Sequence, residues 1–147
     1  MAEGATPLCD GRQSAPDTGG FFVGPTIFDN VTPQMTIARE EIFGPVLSVE
    51  PVTGVEAACD LVDAQPQALT GGLFSRNPKT VEAVVRRTPV GNLYVNRAIT
   101  GAMVGRQPFG GNGLSGSGTK AGGPDYLKQF AQAVVVSEST VRHGLAV

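Results

Sequence analysis

The sequence predicts an α/β fold, a partial parallel sheet in a three-layer arrangement, followed by one extra strand near the end of the chain. Two observations carry this expectation. Between Pro45 and Asn96 short apolar runs alternate with stretches of helical periodicity, the pattern that strand–helix–strand units leave in a sequence. Beyond Asn96 the regularity gives way to a glycine-rich stretch, with seven glycines in the 14 positions from Gly110 to Gly123, and a loop of that length inside a domain usually carries function. At 147 residues the chain has the length of one domain.

Residues 1–20 mix Gly, Pro, Asp and Ser around a single apolar step at Leu8-Cys9, so they are expected as a flexible lead-in with little to bury. The folded body is expected over 21–131. It opens with Phe21-Phe22-Val23 and Thr26-Ile27-Phe28, two β-favouring pieces separated by Gly24-Pro25, which predicts an edge strand or a bent one.

Val46-Leu47-Ser48-Val49 is the first strand of the regular part. Thr53-Gly54-Val55-Glu56 then has the form of a capping box, and Val55, Ala58, Cys59 and Val62 recur on one helical face that should be buried. Residues 69–75 read as the second strand. Asn77-Pro78 predicts an N-cap followed by a first-turn proline. In the helix that follows, Val81, Val84 and Val85 form the apolar face, and Glu82 and Arg86 are spaced to pair on the wet side. Pro89 ends it. Residues 90–95 are the third strand, and the right-handedness of such crossovers predicts that the three strands lie parallel in one sheet, each step covered by a helix. Residues 124–131 suit a short helix and 132–139 a strand with no sequence neighbour, so 132–147 are expected as a strand and tail that pair with another subunit.

Eleven Lys and Arg against 13 Asp and Glu leave a net charge of -2, which excludes a sequence-independent grip on nucleic acid or on an anionic membrane. The longest apolar run, Ala133-Val134-Val135-Val136, is too short to cross a bilayer, and the opening residues lack the order of a signal peptide, so a cytoplasmic setting is expected. Cys9 and Cys59, 50 positions apart, form neither a disulfide framework nor a metal cluster, and no metal is expected. Cys59 sits on the apolar helical stripe and reads as a core thiol. Cys9 lies in the loose lead-in, and the lone His143 reads as a solvated surface residue. Gly111-Asn112-Gly113-Leu114-Ser115-Gly116 matches G-x-G-x-x-G letter for letter, but no parallel strand feeds it and no helix leaves it, so it is not read as a phosphate cradle.

Two longer strings are more informative: Arg39-Glu40-Glu41-Ile42-Phe43-Gly44-Pro45-Val46, and Asn96-Arg97-Ala98-Ile99-Thr100-Gly101-Ala102 running into Gln107-Pro108-Phe109-Gly110-Gly111. Both resemble the aldehyde dehydrogenase superfamily. More narrowly, residues 91–97 through 120–127 look like the L-glutamate-γ-semialdehyde dehydrogenases, also called 1-pyrroline-5-carboxylate dehydrogenases, of proline catabolism. The likeness extends over about residues 21 to 140.

The resemblance implies that 21–131 are the later part of a catalytic domain and that 132–147 reach into a neighbouring subunit, as a homo-oligomer or a mixed oligomer. It implies NAD as cofactor, with Glu41 accepting from the ribose hydroxyls beside nicotinamide and Phe43 packing against that ribose and ring. It implies that Thr100-Gly101-Ala102 anchors the α-carboxylate of a small-molecule substrate through backbone N–H groups, and that Phe109 packs on the substrate's methylenes. Family enzymes attack the aldehyde with a cysteine thiolate, and an upstream glutamate assists hydrolysis. Neither that cysteine nor that glutamate matches a position in these 147 residues, so no catalytic residue is assigned and the chain alone is expected to be inactive. Two rival expectations stand beside this one: a non-catalytic interaction module that forms mixed oligomers with a full-length dehydrogenase, and an enzyme completed by a separately made piece.

Overall fold

A computed structural model describes residues 2–14 and 16–140. The chain divides into two compact units, one holding the residues up to Pro66 together with Leu73–Pro89, the other Gln67–Gly72 and the residues from Val90 onward.

The first unit is built on a three-stranded sheet of β1 (Thr6–Cys9), β2 (Thr26–Asp29) and β3 (Val46–Ser48), in that spatial order. β1 runs antiparallel to β2, pairing Thr6 with Asp29 and Pro7 with Phe28, and its register slips before Cys9 meets Ile27. Proline has no N–H to give the ladder, which accounts for the slip directly after Pro7. β2 and β3 are parallel, with Thr26 beside Val46 and Phe28 beside Ser48.

Two expectations are corrected here. The segment expected as a flexible lead-in contains β1, every residue of which is exposed. Backbone hydrogen bonds to β2 hold it, as does Glu3, whose carboxylate accepts from the Thr36 amide at 2.7 Å and the Thr36 hydroxyl at 2.6 Å. β2 is the central strand of its sheet rather than an edge, because Pro25 stands just outside it and takes no ladder position.

Glu3 serves as the cap of α1 (Thr36–Arg39), a single turn whose own N-cap position, Met35, has no side chain that could do so. These two hydrogen bonds hold the Glu3 carboxyl below the ordinary glutamate range. Val31 and Met35 beside this turn are among the few buried apolar side chains.

α2 (Val55–Asp63) and α3 (Pro78–Arg87) complete the first unit. The capping box expected at Thr53 is not formed. The helix starts one residue later, with Gly54 at the N-cap and no side-chain cap, which puts Thr53 and Glu56 out of reciprocal reach. α3 begins as expected: Asn77 accepts from the Lys79 amide at 3.0 Å and Pro78 opens the first turn. Thr88, the residue before Pro89, has left helical geometry with ψ 130°, as a residue before proline should.

Glu82 and Arg86 pair at 2.5 Å on the exposed side of α3. Arg87 crosses to α2 and meets Asp60 at 2.5 Å, Asp63 at 2.6 Å and Glu56 at 3.2 Å. The hydrogen bonds to Asp60 and Asp63 push its guanidinium further toward the charged form. The α2 stripe expected to be core is only partly covered: Ala58 and Cys59 are half-buried, whereas Val55 and Val62 are 39% and 43% exposed.

In the second unit the strand expected over 69–75 is replaced by two short ones, β4 (Gln67–Ala68) and β5 (Thr70–Leu73), which interrupt each other at Leu69. β5 pairs with β6 (Asn92–Val95), and β4 with β7 (Asn112–Gly113), antiparallel. Of the three strands expected in one parallel sheet, the second and third do pair, as β5 and β6, whereas the first, β3, belongs to the sheet of the first unit. β3 takes β2 as its neighbour, and the glycine-rich segment supplies a partner that strand periodicity could not reveal.

Tyr94 and Ala68 are the buried apolar residues of this unit. The short helix expected over 124–131 is a 3₁₀ turn, Tyr126–Phe130, with the two rings edge to face. Residues 132–140 form no strand within the chain and are exposed, because extended backbone becomes a strand only when a neighbour completes its ladder. The rest of the expected terminal strand and tail, His143 included, lies outside the described residues. No helix among the described residues is long and apolar enough to cross a membrane.

Candidate functional site

The residues singled out by the sequence lie in two segments, one in each unit. In the first unit, Glu41, Ile42 and Phe43 form the irregular link between α1 and β3. Glu41 is exposed and has no hydrogen-bond or ion-pair partner among the described residues. Phe43 is 92% exposed and has φ 54°, a left-handed conformation that a bulky side chain seldom adopts. Such a conformation costs on the order of 1–3 kcal/mol and persists only where the surroundings impose it.

In the second unit, the chain leaves β6 and enters a braced loop. Asn96 takes φ 54° and turns the backbone out of the strand. Arg97 lies over the Tyr94 ring, 5.4 Å from its centroid, so the buried tyrosine sets the direction of the guanidinium. From there Arg97 Nη2 donates to the Thr100 carbonyl at 3.4 Å.

Gln107 closes the loop. The amide orientation that satisfies both neighbours lets its nitrogen donate to the Gly101 carbonyl while its oxygen accepts from Arg97 Nη1 at 2.9 Å. Met103 and Gln107 pair antiparallel beneath. Gly101 has φ 115°, a left-handed conformation that favours glycine, and a Cβ at this position would stand 3.0 Å from Arg97 Nη2. Among the described residues the N–H groups of Gly101 and Ala102 have no acceptor.

Phe109 follows at once, half-buried and fixed on both sides of its backbone: its N–H donates to Ala121 at 3.0 Å and its carbonyl accepts from Ala121 at 2.7 Å. Asn92 braces the same turn, donating to the Pro108 carbonyl at 2.9 Å and accepting from the Gly110 amide at 3.1 Å. Lys120 Nζ caps the Gly110 carbonyl at 2.6 Å. Thr100, Gly101 and Ala102 are thus held beside Gln107 in one loop, with Phe109 two residues further along the chain.

Arg97, Gln107, Asn92 and Lys120 were not identifiable as braces from the sequence, where Asn92 is one polar residue of an expected strand and each of the others is one polar residue in a loop. They stood in the sequence only as members of the strings around 91–102, 107–111 and 120–127, with no sign of what each would hold. The G-x-G-x-x-G string lies in β7 and the turn after it, with Ser115 Oγ accepting from the Ala68 amide at 3.0 Å, and no helix leaves it. Cys9 is exposed, its thiol donating to the Pro25 carbonyl at 3.2 Å, and Cys59 is half-buried on α2. No cluster of His, Cys, Asp or Glu among the described residues could hold a metal ion.

The model of the aldehyde dehydrogenase family matches residues 1–136, nearly the whole chain. The chain belongs to the aldehyde dehydrogenase family. Among its relatives in that family, the 1-pyrroline-5-carboxylate dehydrogenase of Geobacillus thermodenitrificans is 47% identical over 122 residues, 83% of this chain and 24% of that protein. The 1-pyrroline-5-carboxylate dehydrogenase 2 of Bacillus subtilis is 43% identical over the same length. Among solved structures, that of the Thermus 1-pyrroline-5-carboxylate dehydrogenase with bound NAD superposes with a TM-score of 0.81 at 45% identity, covering 88% of this chain and 25% of that one. Proline utilization A from Bdellovibrio bacteriovorus gives 0.83 at 46% identity, covering 99% of this chain and 15% of that one. The chain spans about a quarter of the length of the curated relatives it matches.

Proposed function

We propose that this chain is the later, substrate- and cofactor-contacting part of an NAD-dependent L-glutamate-γ-semialdehyde dehydrogenase, which oxidises an aldehyde to a carboxylate in the cytoplasm. Support comes from relatives named for 1-pyrroline-5-carboxylate at 43–47% identity. The single observation that carries the substrate half of the reading is the pair of free N–H donors at Gly101 and Ala102. Two adjacent backbone donors form a seat for one carboxylate, the group that an amino-acid semialdehyde adds to a simple aldehyde. Thr100 forms the near wall of this seat, and the half-buried ring of Phe109 gives the methylenes an apolar surface.

NAD, when bound, supplies the hydride acceptor. Glu41 would hold the ribose diol and Phe43 would limit the swing of the nicotinamide ring. Holding and orienting are the tasks of these residues; none of them is a nucleophile. The 147 residues are therefore expected to bind parts of two ligands and to oxidise nothing unaided. Calorimetric titration with NAD and with L-glutamate, the product of the reaction, tests this. The reading expects a glutamate signal and an NAD signal that weakens in Glu41→Ala, with no NADH formed from the semialdehyde. Heat-silent titrations with both ligands would overturn it, as would turnover.

The exposed 132–140 segment favours a second component: pairing with another copy of the chain, or with a full-length dehydrogenase in a mixed oligomer. The mixed oligomer would make the chain an interaction module rather than an enzyme part, and co-purification with an intact dehydrogenase distinguishes the two.

A further inference from the structure

We infer that Arg97 and Gln107 are positioning residues that aim the carboxylate seat, acting through the carbonyl side of the loop rather than by touching the substrate. The inference rests on the reading of residues 100–102 as that seat. In a trans peptide the C=O and the following N–H point in opposite directions in one rigid plane. Fixing a carbonyl therefore fixes the next N–H.

Arg97 Nη2 holds the Thr100 carbonyl, which turns the Gly101 N–H to the opposite side. The Gln107 amide holds the Gly101 carbonyl and turns the Ala102 N–H away in the same manner. The two clamps are locked to each other because Gln107 Oε1 accepts from Arg97 Nη1 at 2.9 Å, and Arg97 is itself seated on the Tyr94 ring. A buried aromatic, a cation and an amide thus form a chain that ends in two fixed peptide planes. The donors are oriented before a ligand arrives, which lowers the ordering cost of binding. The guanidinium beneath adds positive potential to the same place.

The amide of Gln107 is required in both its halves: nitrogen for Gly101, oxygen for Arg97. Gln107→Glu keeps the size and the partner Arg97 but offers the Gly101 carbonyl only oxygens. Arg97→Lys keeps the charge but cannot meet Thr100 and Gln107 with two nitrogens of one plane.

The test is titration of the isotope-labelled chain with L-glutamate, followed by amide NMR. In the parent chain the Gly101 and Ala102 amide signals shift downfield on binding. Gln107→Glu and Arg97→Lys each weaken binding about tenfold or more, the scale of a lost charge-assisted hydrogen bond, and broaden those two signals before any ligand is added. Unchanged thermal midpoints would establish that the loop, not the fold, has been altered. Glutamate binding of equal strength in parent and both variants would overturn the positioning role while leaving the carboxylate seat standing. No shift at Gly101 and Ala102 in the parent chain would overturn the seat itself, and the positioning role with it.

Discussion

Gly91 and Gly110 pass so closely that a Cβ on Gly91 would lie 1.9 Å from the Gly110 carbonyl oxygen. The obstruction is backbone, which cannot rotate aside as a side chain can. The contact ties the start of the β6 segment to the turn carrying Phe109. Gly91→Ala is expected to destabilise the protein by about 3 kcal/mol or more, from overpacking against main chain. Denaturant unfolding measures it, and a variant within error of the parent would contradict the close approach.

Asn77 is the side-chain cap of α3. Asn77→Ala should cost about 1 kcal/mol, whereas Asn77→Asp, which retains an acceptor at the helix's positive end, should cost much less. Equal losses in the two variants would show that the hydrogen bond to Lys79 contributes nothing.

Asp10 accepts from Arg12 through both carboxylate oxygens, and these hydrogen bonds lower its pKa to about 2 from an ordinary 3.8. A carboxyl whose folded pKa is depressed contributes stability that is present above the ordinary value and lost as pH falls toward the lowered one. The contribution should be intact at pH 5 and disappear progressively between roughly pH 4 and 2. Site-resolved NMR titration checks it, with Arg12→Gln returning the Asp10 midpoint toward its ordinary value.

Val135 is 91% exposed within the unpaired 132–140 segment. Val135→Lys is expected to reduce self-association in sedimentation experiments, because a lysine on a free edge opposes strand pairing. Association of undiminished strength would place the contact elsewhere.

What could be read from the sequence follows the distance over which each feature is determined. The Asn77 cap, the stop before Pro89 and the Glu82–Arg86 pair are set within a few residues, and all are found where expected. The Thr53 box failed by one residue, since a hydroxyl competes with a neighbouring glycine for the same end of a helix. Strand partners were the least legible. β1 and β7 contain Pro7 and Gly113 and exist only because β2 and β4 offer them ladders. In the candidate site, the strings containing Glu41, Phe43 and Thr100-Gly101-Ala102 stood out as words. The bracing by Arg97 and Gln107 depends on a loop returning to itself across ten positions, which no local pattern encodes.

Phe43 combines an unfavourable backbone angle with a ring that gains almost no burial in this chain. Phe43→Gly should therefore yield a sturdier molecule by roughly 1 kcal/mol, relieving the torsion at little hydrophobic loss. Durability and ligand grip would then move in opposite directions at a single position, which makes this residue a measure of how much rigidity the chain gives up to keep an aromatic surface on offer.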